Sequence, residues 1–162
     1  MSGRTRRVAA GGAVLVLLAT LLVTAALVWT NRTEAQRESA RGEALAAAPE
    51  RIEALLSYDA ATVDADLDEA ARGATGTFAE GFRDFAANTV APKSKSEGIS
   101  TRARIAETGY LSGAADQARL LAFVDQITTS TLSPAPTSTS SRVIVTMERV
   151  GDEWLIAEMT PI

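Results

Sequence analysis

Tyr58 and Tyr110 are the chain's two tyrosines, and Asp59, Glu107 and Asp125 are the acids near them in the pattern, so these five are the residues placed to move a proton together. A carboxylate acting as base and a tyrosine donating to a developing oxyanion, both facing one apolar cavity, would serve an isomerase or a dehydratase. The chain has no histidine and no cysteine. This excludes the commonest general base, the commonest zinc ligand, every Ser-His or Cys-His nucleophile, thiolate metal sites and disulfides. Tyr58 and Asp59 are adjacent, and neighbours on a helix point about 100° apart. They read as a helix-terminus turn with a buried ring. The expectation is therefore no catalytic residue, no cofactor and no metal.

The elements around these residues follow from spacing. Arg32, Glu34, Arg37, Glu38, Arg41 and Glu43 alternate in sign, as on a solvated helix with i,i+3 pairs such as Glu34–Arg37 and Glu38–Arg41. Leu45, Ala48, Ile52, Leu55 and Leu56 recur at helical spacing, and Pro49 is expected to kink the helix or restart it. Thr62 is placed to cap a short helix ending at Gly73, with Asp64 and Asp66 in its first turn. Thr75 or Thr77 can cap the next one. Phe78, Phe82 and Phe85 lie at i, i+4 and i+7 and predict one core-facing stripe. Residues 91–98 read as a loop.

After Gly98 the pattern changes to strands over 101–110, 118–131, 142–150 and 153–160. The first turn falls at Ser112–Asp116 and the last at Gly151-Asp152. Ser133 to Ser141, rich in Ser, Thr and Pro, reads as a long flexible connection. Helices first and an antiparallel run afterwards give an α+β class, with helices packed on a curved four-stranded meander.

The N-terminus places this domain. The 23 residues from Val8 to Thr30 carry no charge and no proline, and Arg4, Arg6 and Arg7 precede them. As a helix they span about 35 Å, enough to cross a ~30 Å hydrocarbon core. The positive-inside rule keeps the N-terminus cytoplasmic, and Trp29 suits the far interface. Val23-Thr24-Ala25 would suit cleavage as a signal peptide, but the apolar run is longer than such segments need. The expected organisation is a cytoplasmic tail over 1–7, a transmembrane helix over 8–30, a juxtamembrane helix over 31–48 and an extracytoplasmic domain over 49–162.

All 20 acidic residues but only 13 of the 16 basic ones follow the span, so the outer part carries a net charge of −7. Such a domain reads as lacking a basic patch, hence as binding no nucleic acid and being repelled by anionic headgroups. Its tether to the membrane is the helix.

Taken in order, the single span, the charged helix and several short segments carry a resemblance. They are Leu55-Leu56-Ser57-Tyr58-Asp59, Asp64-Ala65-Asp66-Leu67, Thr75-Gly76-Thr77-Phe78, the strand from Leu120 to Thr128, and the terminal Trp154-Leu155-Ile156-Ala157-Glu158-Met159-Thr160-Pro161-Ile162. The chain resembles the Mce-associated membrane proteins of actinobacteria over nearly its whole length. It departs from them in its last hairpin, Gly151-Asp152-Glu153, where an acidic residue, Gly and a basic residue are expected. The resemblance implies an NTF2-like cone, an architecture shared with VirB8-type secretion scaffolds. It further implies a non-catalytic accessory role beside Mce-type lipid importer subunits, which move sterols or fatty acids across the envelope. An alternative is a module that holds an apolar lipid in the cone, lined by Phe78, Phe82, Phe85, Phe123 and Trp154.

Topology is directly testable. A reporter active only outside the cytoplasm is expected to be active after Ile162, and a cytoplasm-only reporter at the N-terminus. A mature protein beginning near Ala26 would show instead that the domain is secreted.

Overall fold

The computed structural model describes Leu21, Thr24 and residues 34–162. The span expected over Val8–Thr30 lies outside these residues except at Leu21 and Thr24. No helix among the described residues is long and apolar enough to cross a membrane. The chain divides into two compact units, Met1–Glu38 and Ser39–Ile162. In the first, the expected pair of Arg37 with Glu34 forms at 3.2 Å.

Helix α1 occupies residues 34–56 and is followed by α2 (Val63–Arg72), α3 (Gly76–Phe85), a π-helical turn (Ala86–Val90) and α4 (Ala91–Glu97). Four strands follow, β1 (Ser100–Gly113), β2 (Gln117–Ser130), β3 (Ser133–Val150) and β4 (Glu153–Pro161). They form one antiparallel sheet in the order β1-β2-β3-β4. The α+β class and the helices packed on a four-stranded meander are as expected from sequence.

Ala40, Ala44, Ala48 and Ile52 recur every four residues along α1 and are all buried. They pack against Leu120, Ala122 and Val124 of β2, Val143, Val145 and Met147 of β3, and Trp154 and Ile156 of β4. Three alanines in succession let the helix backbone come close to the sheet. The helix runs through Pro49 without a break. Pro49 has no N–H for the Leu45 carbonyl, but buried Ala48 and Ile52 on either side hold the turn against the sheet.

Both sheet edges are covered next to the helices. On the free edge of β1, the N–H groups of alternate residues Thr101, Ala103 and Ile105 donate to the Tyr58 carbonyl, Ser57 Oγ and Glu53 Oε1, at 2.9, 2.9 and 2.8 Å. On β4, Ile156 N donates to the Gly73 carbonyl and Thr75 N to the Ile156 carbonyl, at 2.9 and 2.8 Å. These contacts block the unpaired backbone that otherwise invites aggregation.

Two segments differ from expectation. Residues 91–97 form a helix, not a loop. Pro92 sits in its first turn, where no N–H is needed, and Gly98 ends it in the left-handed region at φ 60°. Residues 133–141 extend β3, pairing Thr137 with Thr128 and Ser141 with Val124. Threonine suits a pleated strand, and β4 pairs with β3 only from Val143 onward. The far edge here is free, so proline is tolerated.

The turn Thr131-Leu132 docks on the end of α4. The Glu97 carbonyl accepts from Thr131 N, Thr131 Oγ1 and Ser130 Oγ at 3.1, 2.7 and 2.9 Å. A Cβ at Gly98 would lie 2.4 Å from Thr131 Cγ2, whereas one at Gly151, also left-handed at φ 65°, meets nothing within 4 Å. Gly151→Ala is expected to cost only the backbone penalty of about 1–2 kcal/mol. Gly98→Ala adds a clash and is expected to cost clearly more. Thermal unfolding of the two variants measures the difference, and equal midpoints would refute the docking of Thr131 on α4.

Candidate functional site

An open groove of about 940 Å³ is bounded by the C-terminal half of α1, by α2 and by β1 and β2. Glu50 and Glu53 of α1, Asp66 and Glu69 of α2, and Arg102 and Asp125 of the sheet are among its lining residues. Most of these acids are held by internal partners. Glu53 accepts from the Ile105 N–H. Asp66 Oδ2 accepts from Asp59 N and Thr62 Oγ1 at 2.9 and 2.7 Å. Glu69 pairs with Arg72, and Asp125 Oδ1 accepts from Ser140 Oγ at 2.5 Å.

Thr62 thus stands at the N-cap position of α2 as expected, but its hydroxyl serves Asp66 and caps no backbone N–H. The turn from Tyr58 to Thr62 is tied by carboxylates, since Asp59 Oδ1 also accepts from Ala61 N at 2.9 Å. Tyr58 is half-buried against Val63, Leu67, Ala86 and Ala91. It follows the end of α1, as read from sequence, but the ring expected to be buried is only partly so. Tyr58, Asp59 and Asp125 all line the groove, whereas Glu107 and Tyr110 do not. Tyr110 packs against the main core, with the Arg41 guanidinium 5.2 Å from its ring centre. Among the described residues, no group of acids is disposed to hold a metal ion.

The five aromatic residues named as a cavity lining sit in different environments. Phe78 and Phe82 are half-buried, with ring centres 6.5 Å apart. Phe85 is 57% exposed. The buried face of this helical stretch is centred on Ala79, Phe82 and Ala86, and at about 100° per residue Phe85 lies well to one side of Ala86. Phe123 projects from the opposite face of the sheet to α1 and is also exposed, while Trp154 is buried in the core. None of the five borders the groove.

Glu43, read from sequence as one charge of a solvated helix, is an organising residue. Its Oε2 accepts from Trp154 Nε1 at 3.2 Å and from Arg149 Nη2. Arg149 and Trp154 are cross-strand partners on β3 and β4, and the guanidinium lies 5.2 Å from the indole centre. Arg51 adds a second tie from α1 to β4 through Glu153 at 3.7 Å. The only sequence signal was that Glu43 directly precedes Ala44 of the buried stripe, at the stripe's margin.

Comparison with known proteins places the chain. The outer membrane protein Rv1973 of Mycobacterium tuberculosis is 35% identical over 136 residues, covering 84% of this chain and 84% of that one. The chain belongs to the Rv1973 family. Rv1362c of the same organism is 37% identical over 132 residues, and the matched region spans only 60% of its length. No family model matches. The Rv1973-like domain shares its fold with an IcmL-like type IV secretion system protein of Legionella pneumophila, with a TM-score of 0.60 at 13% identity over 75% of this chain and 93% of that one. It shares it also with CagV, a VirB8 homologue of Helicobacter pylori, with a TM-score of 0.57 at 11% identity over 72% and 94%. At these identities the likeness is one of fold.

The Glu43 cluster yields a quantitative expectation for the Rv1973-like domain. Trp154→Ala should cost about 3–5 kcal/mol through lost burial and a cavity. Glu43→Ala leaves the indole N–H and the partly buried guanidinium without their shared acceptor and should cost about 1–3 kcal/mol. Chemical denaturation of Glu43→Ala, Arg149→Met and the double variant should give a coupling of about 0.5–3 kcal/mol. Strict additivity would show that the ion pair does not join α1 to the sheet.

Proposed function

We propose that this protein is a membrane-anchored, non-catalytic accessory subunit that stabilises or assembles an Mce-type lipid importer in the actinobacterial envelope. In this reading residues 1–7 lie in the cytoplasm, 8–30 cross the membrane once, 31–48 lead away from it, and 49–162 form the outer domain. The observation that carries the reading is membership of a mycobacterial family that includes a protein named for the outer membrane, joined to a fold shared with secretion-system components. The groove supports it too. Asp59, Asp66 and Asp125 are spent on hydrogen bonds that shape the turn and the sheet.

An apolar ligand in the cone has less support. The sheet face under α1 is filled by Ile52 and the alanines of α1, and the largest buried side chains there include Leu120, Met147 and Ile156. A lipid would have to displace α1.

Deleting the gene is expected to lower the abundance of the importer and lipid uptake together. A form lacking residues 1–30 should fold but restore uptake poorly, because confinement to the membrane plane raises the effective concentration at an embedded partner. Asp59→Asn or Asp125→Asn should leave uptake intact. Loss of uptake in either variant, at unchanged protein level and complex abundance, would overturn the accessory reading in favour of a ligand-handling site.

A further inference from the structure

Gln126 to Ser141 stands apart in composition. In a chain that is 22% charged, these sixteen residues carry no charge, and ten of them are Ser or Thr, with Pro134 and Pro136 among them. Pairing with β2 explains why the later part of the segment is extended. It does not explain why the segment is so rich in hydroxyls. Those hydroxyls divide into two sets. Ser130 Oγ and Thr131 Oγ1 donate to the Glu97 carbonyl, Ser133 Oγ to the Ala135 carbonyl and Ser140 Oγ to Asp125 Oδ1. The hydroxyls of Thr137, Ser138 and Thr139 take no hydrogen bond among the described residues.

These three side chains lie where both faces of the strand are open. Successive strand residues point to opposite sides, and a strand beneath a helix alternates in burial, as β3 does from Val143 to Met147. Residues 135–140 are instead all exposed. One edge is open as well. Ile162 N donates to the Arg142 carbonyl, so the main chain of Arg142 faces β4. Alternate residues face the same way. Ser140 and Ser138 therefore present their N–H and C=O groups beyond the end of β4, which pairs with β3 only from Val143 onward. Natural sheets guard such an edge with charges and prolines. Here the prolines precede the open stretch, and no charge lies within it.

We propose that Thr137, Ser138 and Thr139 are acceptors for O-linked glycosylation. A Ser/Thr-rich segment with proline is the composition associated with that modification. An extended main chain with one free edge is a form that a modifying enzyme can bind as an added strand, and the three spare hydroxyls stand beside that edge. In the transfer, the hydroxyl oxygen bonds to the anomeric carbon of a glycosyl phosphate while the bond from that carbon to the phosphate oxygen breaks. The phosphate leaves with the electron pair, and the hydroxyl proton passes to a base of the transferase. Nothing is oxidised or reduced. The sugar then serves as charge does on other edges, blocking strand addition and keeping an uncharged surface hydrated. Phosphorylation is the other modification that these hydroxyls allow, but it draws on a cytoplasmic nucleotide donor. The inference rests on the accessory reading only in placing this domain outside the cytoplasm.

The test uses the full chain purified from its native membrane. Trypsin cuts after Arg119 and Arg142 and releases Leu120–Arg142. Mass spectrometry is expected to find this peptide carrying one or more whole hexose residues, and electron-transfer fragmentation should place them on Thr137, Ser138 or Thr139. Thr137→Ala, Ser138→Ala and Thr139→Ala together should abolish the sugar while the domain still folds, because these hydroxyls bond nothing in the fold. Ser140→Ala, which removes a hydroxyl already held by Asp125, should leave the sugar in place. An unmodified peptide, a phosphate on these hydroxyls, sugar confined to the hydroxyls that the fold already uses, or sugar retained in the triple variant would each overturn the proposal. An unmodified peptide from a chain whose C-terminal reporter is active outside the cytoplasm would overturn it and leave the accessory reading standing. Sugar on this peptide, with importer abundance unchanged on gene deletion, would confirm the acceptor site and overturn the accessory reading.

Discussion

The close approach of α1 to the sheet is the constraint on which the rest of this fold depends. Ala40, Ala44 and Ala48 present almost no side-chain volume, so the helix backbone settles close against the face of β2–β4. Ile52 and Leu55 then fill the deeper end. Interiors pack at crystal-like density, so a larger residue in this ladder has nowhere to go without moving the helix. Everything else is set by that axis. Only with α1 at this depth can Glu43 reach both Arg149 and Trp154 at one end, and Glu53 and Ser57 reach the β1 backbone at the other.

The polar contacts of α1 therefore act as register marks on a helix that apolar packing holds in place. Glu53 and Ser57 lie four residues apart on one face of the helix. The N–H groups they receive, from Ile105 and Ala103, lie two residues apart on one edge of β1. Helical rise over four residues and strand rise over two are both about 6–7 Å. The two periodicities match over this short distance, and the backbone bridge between Tyr58 and Thr101 continues the series as the helix ends. Side chains of a helix thus stand in for a fifth strand without adding an edge.

The α+β class, the order of the strands and the end of α2 at Gly73 could be read from the sequence because each rests on a local signal: a change of hydrophobic period or a helix-stopping glycine. The missed features depend on partners distant in sequence. Residues 91–97 carry Pro92 at the start and Gly98 at the end, valid helix signals that a polar composition outweighed. Residues 133–141 look like a linker until β2 supplies a template for pairing. Phe78, Phe82 and Phe85 share a helical stripe, but periodicity gives only the relative angle of side chains. The direction of the core is set by Ala79 and Ala86, and it leaves Phe85 outside. Glu43 is indistinguishable from its charged neighbours until the hairpin of β3 and β4 brings Arg149 and Trp154 beside it.

The distribution of charge follows from the same architecture. Acidic residues gain from helix N-termini, and α2 carries Asp64 and Asp66 in its first turn. Helices also offer cations a partner one turn away, as Arg72 finds Glu69. A sheet has no comparable dipole, and it offers charge pairing across strands instead of along the chain, as where Arg104 lies opposite Asp125. An arginine there can lay its aliphatic stem along neighbouring apolar groups while its head remains in water. Arg102 beside Ile127 and Arg142 beside Phe123 fit that description. Charge on that face is mixed, since Glu107, Asp125, Glu148 and Glu158 stand on it beside Arg102, Arg104, Arg119 and Arg142.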